Sequence, residues 1–235
     1  MRNTAIFLAL LICCFSTYAQ TEKSLYKRGM KNLEGGNYEE ALTDFTMVID
    51  LNPENDQAYY NRGIARYKLN NYPGAIQDFD RALDTNPANP EAYYNRGVSK
   101  LELGDYLGAI SDLNISIKGN PKDPRYYHKR GMAKSGLQDY RGAAVDLTSA
   151  LKIDPRKIEY YYERAEAFLS LRHYVNAVQD LDRVIRLAPN DFNAYNTRAR
   201  IKLTGGDLNG ACLDWSKAGE LGDVTAYDMI RKHCN

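Results

Sequence analysis

One spacing constrains this chain more than any other feature. From Glu22 onward similar residues return every 34 positions, through six blocks without an insertion or deletion: 22–55, 56–89, 90–123, 124–157, 158–191 and 192–225. The eighth slot holds Gly29, Gly63, Gly97, Gly131, Ala165 and Ala199, and the twentieth is alanine in all six. The thirty-second is Pro53, Pro87, Pro121, Pro155 and Pro189, with Asp223 the departure. A unit this small cannot bury its own apolar face, so neighbouring units must cover one another. The period predicts a stacked array and favours binding over chemistry.

Each block reads as two antiparallel helices. In the second block residues 58–69 carry good helix formers, Asn70-Asn71 interrupts them, and a second run extends from Pro73 to Asp84. Pro73 suits a first helical turn, where a missing N–H costs nothing, and Pro87 ends the run. The small eighth slot faces a bulky twenty-fourth: Phe45, Phe79, Leu113, Leu147, Leu181 or Trp215. A missing side chain opposite a large one lets two helices nest.

These slots, with Tyr38, Tyr72, Tyr106, Tyr140 and Tyr174 at the seventeenth, make the chain resemble the tetratricopeptide-repeat family across 22–225. The resemblance implies an all-α fold: a right-handed α-solenoid of six stacked helix-turn-helix hairpins spanning 20–225, with 226–235 as a short C-terminal cap. In that family the first helix of each hairpin lines a concave groove, facing inward at slots two, five, six, nine, twelve and thirteen. The fifth slot here supplies Tyr26, Tyr60, Tyr94, His128, Tyr162 and Asn196. Its tyrosines either line the groove or pack between repeats. At the sixth slot, Asn61 and Asn95 match asparagines that some relatives use to hold a peptide backbone, and Lys129 adds a charge. Two slots depart from the family pattern. The fourth is mostly tyrosine rather than tryptophan, and the eleventh is often basic (Arg66, Lys100, Lys134, Lys202) rather than tyrosine.

The seventh slot is always arginine and the twenty-third always aspartate. The pairs expected across each hairpin are Arg28–Asp44, Arg62–Asp78, Arg96–Asp112, Arg130–Asp146, Arg164–Asp180 and Arg198–Asp214. A planar guanidinium suits a carboxylate held by two hydrogen bonds. Such pairs read as a register device, with a ligand-gripping ladder as the alternative.

Residues 1–19 stand apart. Arg2, an apolar run from Ala5 to Phe15, and Thr17-Tyr18-Ala19 read as a secretory signal cut after Ala19. The alternatives are a retained anchor or lipoprotein processing at Cys13 or Cys14. Without Arg2 the 31 basic residues become 30, against 30 acidic, and no basic run remains. That balance argues against nucleic acid and against a polybasic membrane surface. The mature chain contains no stretch apolar enough to span a bilayer. In an oxidising compartment its two cysteines, Cys212 and Cys234, are expected to form a disulfide that pins the end of the array.

Chemistry leaves little trace. His128, His173 and His233 show no ligand spacing, and there is no Cys-x-x-Cys or phosphate-binding loop. No catalytic residue, metal or cofactor is expected. Asp78-Phe79-Asp80 and Asp180-Leu181-Asp182 look like metal-binding pairs, but they recur at the repeat period, which assigns them to the arginines. The expectation is an exported, non-enzymatic scaffold of the periplasm or cell envelope whose groove binds a protein or peptide. The alternatives are a structural subunit of an envelope assembly or secretion complex, or a small-molecule or glycan binder using the tyrosine-lined groove.

Overall fold

The computed structural model describes residues 19–234, which contain helices and turns and no strand. The signal reading therefore falls, but for Ala19, outside the described residues. The chain divides into two units at Gly119. The first holds three hairpins: α1 (19–34) with α2 (Tyr38–Leu51), α3 (Asp56–Lys68) with α4 (Tyr72–Thr85), and α5 (Pro90–Glu102) with α6 (Tyr106–Gly119). The second holds α7 (Pro124–Gly136) with α8 (Tyr140–Ile153), α9 (Ile158–Ser170) with α10 (Tyr174–Leu187), and α11 (Phe192–Thr204) with α12 (Leu208–Glu220), followed by α13 (Ala226–His233).

The turn inside each hairpin is built at slot fifteen. Gly36, Asn70, Gly104, Gln138, Arg172 and Gly206 all adopt left-handed backbone, with φ between 59° and 90°. The next amide returns to the carbonyl of slot eleven, as from Asn71 N to Arg66 O and from His173 N to Phe168 O, both 2.8 Å. That bond closes the first helix and reverses the chain. The same next residue starts the second helix. The side chains of Asn71, Asp105, Asp139 and Asp207 accept from the amides of Gly74, Gly108, Gly142 and Gly210 at 2.9–3.0 Å. A left-handed residue and the polar residue after it thus end one helix and cap another.

The nesting of the two helices is visible atom by atom. A Cβ added to Gly63 would lie 2.8 Å from Phe79 Cε1, inside van der Waals contact. Gly97 and Gly131 leave slightly more room, 3.3 Å to Leu113 Cγ and Leu147 Cγ. The bulky slot is buried in all six hairpins.

The second unit ends differently. Asp223, in place of the recurrent proline, accepts from the amide and hydroxyl of Thr225 (3.0 and 2.7 Å) and from Asn196 Nδ2. The hydrogen bonds from Thr225, more than the one from Asn196, hold its carboxyl below the usual carboxylate range. They steer the chain into α13, whose Ala226, Met229 and Ile230 cover Trp215 and Ala218. The His233 ring stacks on Trp215 at 5.7 Å. Cys212 and Cys234 are joined, with Cα atoms 5.9 Å apart.

Candidate functional site

The first helices are held in place by the slot-seven arginines. Arg62 donates from Nε and Nη2 to the two carboxylate oxygens of Asp78 at 3.0 and 2.8 Å, and Arg96 does the same to Asp112 at 2.9 and 2.6 Å. Arg130–Asp146, Arg164–Asp180 and Arg198–Asp214 repeat this fork at 2.5–2.9 Å. Arg28 Nε and Nη2 both donate to one oxygen, Asp44 Oδ1. Each guanidinium of the last five also lies 5.2–5.8 Å from the ring of a slot-four tyrosine: Tyr59, Tyr93, Tyr127, Tyr161 or Tyr195.

Two further contacts complete the clasp. The free arm of the arginine reaches back to slot twenty-five of the preceding hairpin: Arg62 to Thr46 (3.2 Å), Arg96 to Asp80 (2.7 Å), Arg164 to Thr148 (2.9 Å) and Arg198 to Asp182 (2.5 Å). The basic eleventh slot supplies the aspartate with a second cation, through Arg66–Asp78 at 3.0 Å and Lys100–Asp112, Lys134–Asp146 and Lys202–Asp214 at 2.8 Å. In the fifth hairpin that slot is Phe168, and among the described residues Asp180 pairs with Arg164 alone. Burial there outweighs the arginine and pushes the Asp180 carboxyl above its ordinary value.

Slots five and six form a second ladder along the first helices. Asn61 Nδ2 donates to Tyr26 Oη (2.8 Å) and to Gln57 O (2.9 Å), and Asn95 Nδ2 donates to Tyr60 Oη (2.9 Å). Asn61 is only 5% exposed, so its amide ties neighbouring hairpins together. Tyr94 is half-buried. In the second unit, Tyr162 donates to Asp191 at 2.8 Å, and burial together with this carboxylate raises its phenol pKa. Asn196 is engaged by Asp223, Lys129 Nζ lies 3.4 Å from Met132 Sδ, and His128 is buried. These positions therefore divide between contacts linking hairpins and a partly open face.

Between α7 and α9 that face is indented. A cleft of about 390 Å³ is lined by Met132, Ser135, Tyr140, Tyr162, Glu163, Glu166, Ala167 and Ser170. Its walls are mainly apolar, and two carboxylates stand among them. Such a cleft can receive an extended chain by apolar contact, with the carboxylates available to a cation or to backbone amides. Of these residues the sequence singled out only Tyr162 as a groove residue. Met132, Ser135, Glu163, Glu166 and Ser170 lie on slots named as inward-facing, whereas Ala167 is at slot ten and Tyr140 opens the second helix; nothing in the period told which hairpin would hold the cleft.

The second helices carry a different surface. Leu107 and, separately in the second unit, Val145, Val175 and Leu213 are 60–73% exposed.

Comparison with known families matches the tetratricopeptide repeat to residues 26–90, 62–124 and 128–192. No curated protein matches the chain. Among solved structures, PilF of Pseudomonas aeruginosa superposes with a TM-score of 0.72 at 16% identity, over 92% of this chain and 99% of that one. MamA from Desulfovibrio magneticus RS-1 gives 0.70 at 23% identity, over 73% and 97%. YrrB, described as a repeat protein of this kind with an unusual peptide-binding site, gives 0.69 at 17% identity, over 80% and 97%. At these identities the likeness speaks for the fold.

Proposed function

Because the chain belongs to the tetratricopeptide-repeat family, we propose that it is a non-enzymatic interaction protein whose α7–α9 cleft takes an extended segment of a protein partner. The observation that carries this reading is the cleft itself, an apolar trough flanked by Glu163 and Glu166 on the first-helix face. The peptide-binding site named for YrrB is consistent with the same use of the fold. Export to the periplasm or cell envelope belongs to the same proposal. It draws support from the signal-like residues 1–19 and from the Cys212–Cys234 pair, which suits an oxidising compartment.

A second reading, a subunit docking into an envelope assembly, has its own support in the exposed apolar residues of the second helices. A photo-reactive side chain at Ser170, in the cleft, and another at Val145, on α8, separate the two. The cleft reading predicts that one defined partner from envelope extract crosslinks at residue 170 and that Tyr162→Ala reduces the yield. Adducts only at residue 145 would transfer the function to the second-helix surface.

A further inference from the structure

The second unit breaks its own periodicity at one place. Slot two is acidic in Glu91 and Glu159, slot six is acidic only in Glu163, and slot five is histidine only in His128. The fold brings the last three together, although they stand 31 and 35 residues apart in sequence. Glu159 and Glu163 lie one turn apart on α9, and His128 faces them from α7. One donor atom from each, imidazole nitrogen and two carboxylate oxygens, falls within 4.8 Å of the others. In the first unit the equivalent contact is a neutral amide on a tyrosine hydroxyl, Asn61 on Tyr26 and Asn95 on Tyr60.

The neutral contact is satisfied; the charged one is not. The His128 side chain is 6% exposed, and its Nε2 is buried without a hydrogen-bond partner. Glu163 Oε2 lies 2.8 Å from that nitrogen, yet the two make no hydrogen bond. An orphaned buried donor or acceptor is costly. Two carboxylates at i and i+4 on a helix also repel each other, and Lys157 lies no nearer than 3.8 Å to Glu159. Both costs vanish if one cation sits between the three groups. Nitrogen and oxygen donors bound to a common ion at about 2.0–2.2 Å lie roughly 3 Å apart and point at the ion rather than at each other.

We propose that His128, Glu159 and Glu163 form a binding site for a divalent first-row transition-metal ion, which clamps α7 to α9. One imidazole and two carboxylates suit zinc or manganese better than calcium or magnesium, which favour all-oxygen shells. Three protein donors leave coordination positions for water or for a partner's ligand, as in open zinc sites. Glu163 also lines the cleft, but the site does not depend on what the cleft receives.

Calorimetric titration of the purified, untagged and chelator-treated full chain with zinc chloride, in excess magnesium, tests this. Cobalt(II) serves as a second probe through its visible absorption. The expected result is one ion per chain, with affinity lowered at least about tenfold in Glu163→Gln and in Glu159→Gln. Because Glu159 is exposed, Glu159→Gln keeps the fold intact even if a change at buried His128 does not, and circular dichroism confirms it. Absence of binding overturns the proposal. So does binding that survives both glutamine variants, which would place the ion elsewhere, such as at His173 or His233.

Discussion

Arg96 shows how much one side chain carries in this molecule. Its guanidinium meets Asp112 across its own hairpin, Asp80 of the hairpin before, and the ring of Tyr93 beneath it. Asp112 and its second cation Lys100 push the account further, because they identify the basic eleventh slot as part of the same clasp. Phe168 is the natural omission. Phe168→Lys is expected to restore the missing cation and bring the raised Asp180 carboxyl down, read as a shift to lower pH in a carboxyl carbon NMR titration. An unchanged titration would remove the eleventh slot from the clasp. The recurrent Arg and Asp were legible in sequence because they never vary. The second cation was visible only as a departure from the family pattern, since its partner lies on another helix.

At the scale of the helical element, shape and turn conformation decide stability. Gly63→Ala places a methyl against the buried Phe79 ring, whereas Gly131→Ala meets Leu147 at 3.3 Å, a contact that a small adjustment relieves. Denaturant unfolding should show the first losing about 1–3 kcal/mol through overpacking, and the second changing little or gaining helix propensity. Gln138 occupies the left-handed turn position that glycine fills in three hairpins. Gln138→Gly is expected to gain roughly 0.5–1 kcal/mol, the left-handed strain relieved less the added chain entropy. The closing helix offers a separate test. Replacing Cys212 and Cys234 by serine removes a crosslink over a separation of 22 residues and should cost about 3 kcal/mol. Trp215, the single tryptophan, then reports loosening of α13 as a red-shifted emission. Asp223 adds a pH dependence. Its folded carboxyl sits below the ordinary value, so its contribution is complete above the usual carboxylate range and is lost as pH falls through the folded value. Asp223→Asn should remove that acid-sensitive change in Trp215 emission.

For the molecule as a whole, recurrence of a slot is recurrence of a contact. The helix pairs followed directly from the 34-residue period, from the eighth and twenty-fourth slots, and from the interruption between the two helical runs of a block. No described helix is long and apolar enough to cross a membrane, and the charges balance, so attraction to a polyanion has no role in the account. What the period concealed lies where it is broken. His128 and Glu163 are 35 residues apart, one more than the repeat, and a search for local ligand spacing passes over them. The α7–α9 cleft arises likewise from the particular side chains of two hairpins. The central claim, that each repeated Arg–Asp slot pair is a working contact, is tested most directly by a double-mutant cycle on Arg96 and Asp112, using alanine at both positions and urea unfolding. The account predicts a coupling of about 1.5–3 kcal/mol, the strength of a charged hydrogen-bond pair. Additive losses with no coupling would contradict it.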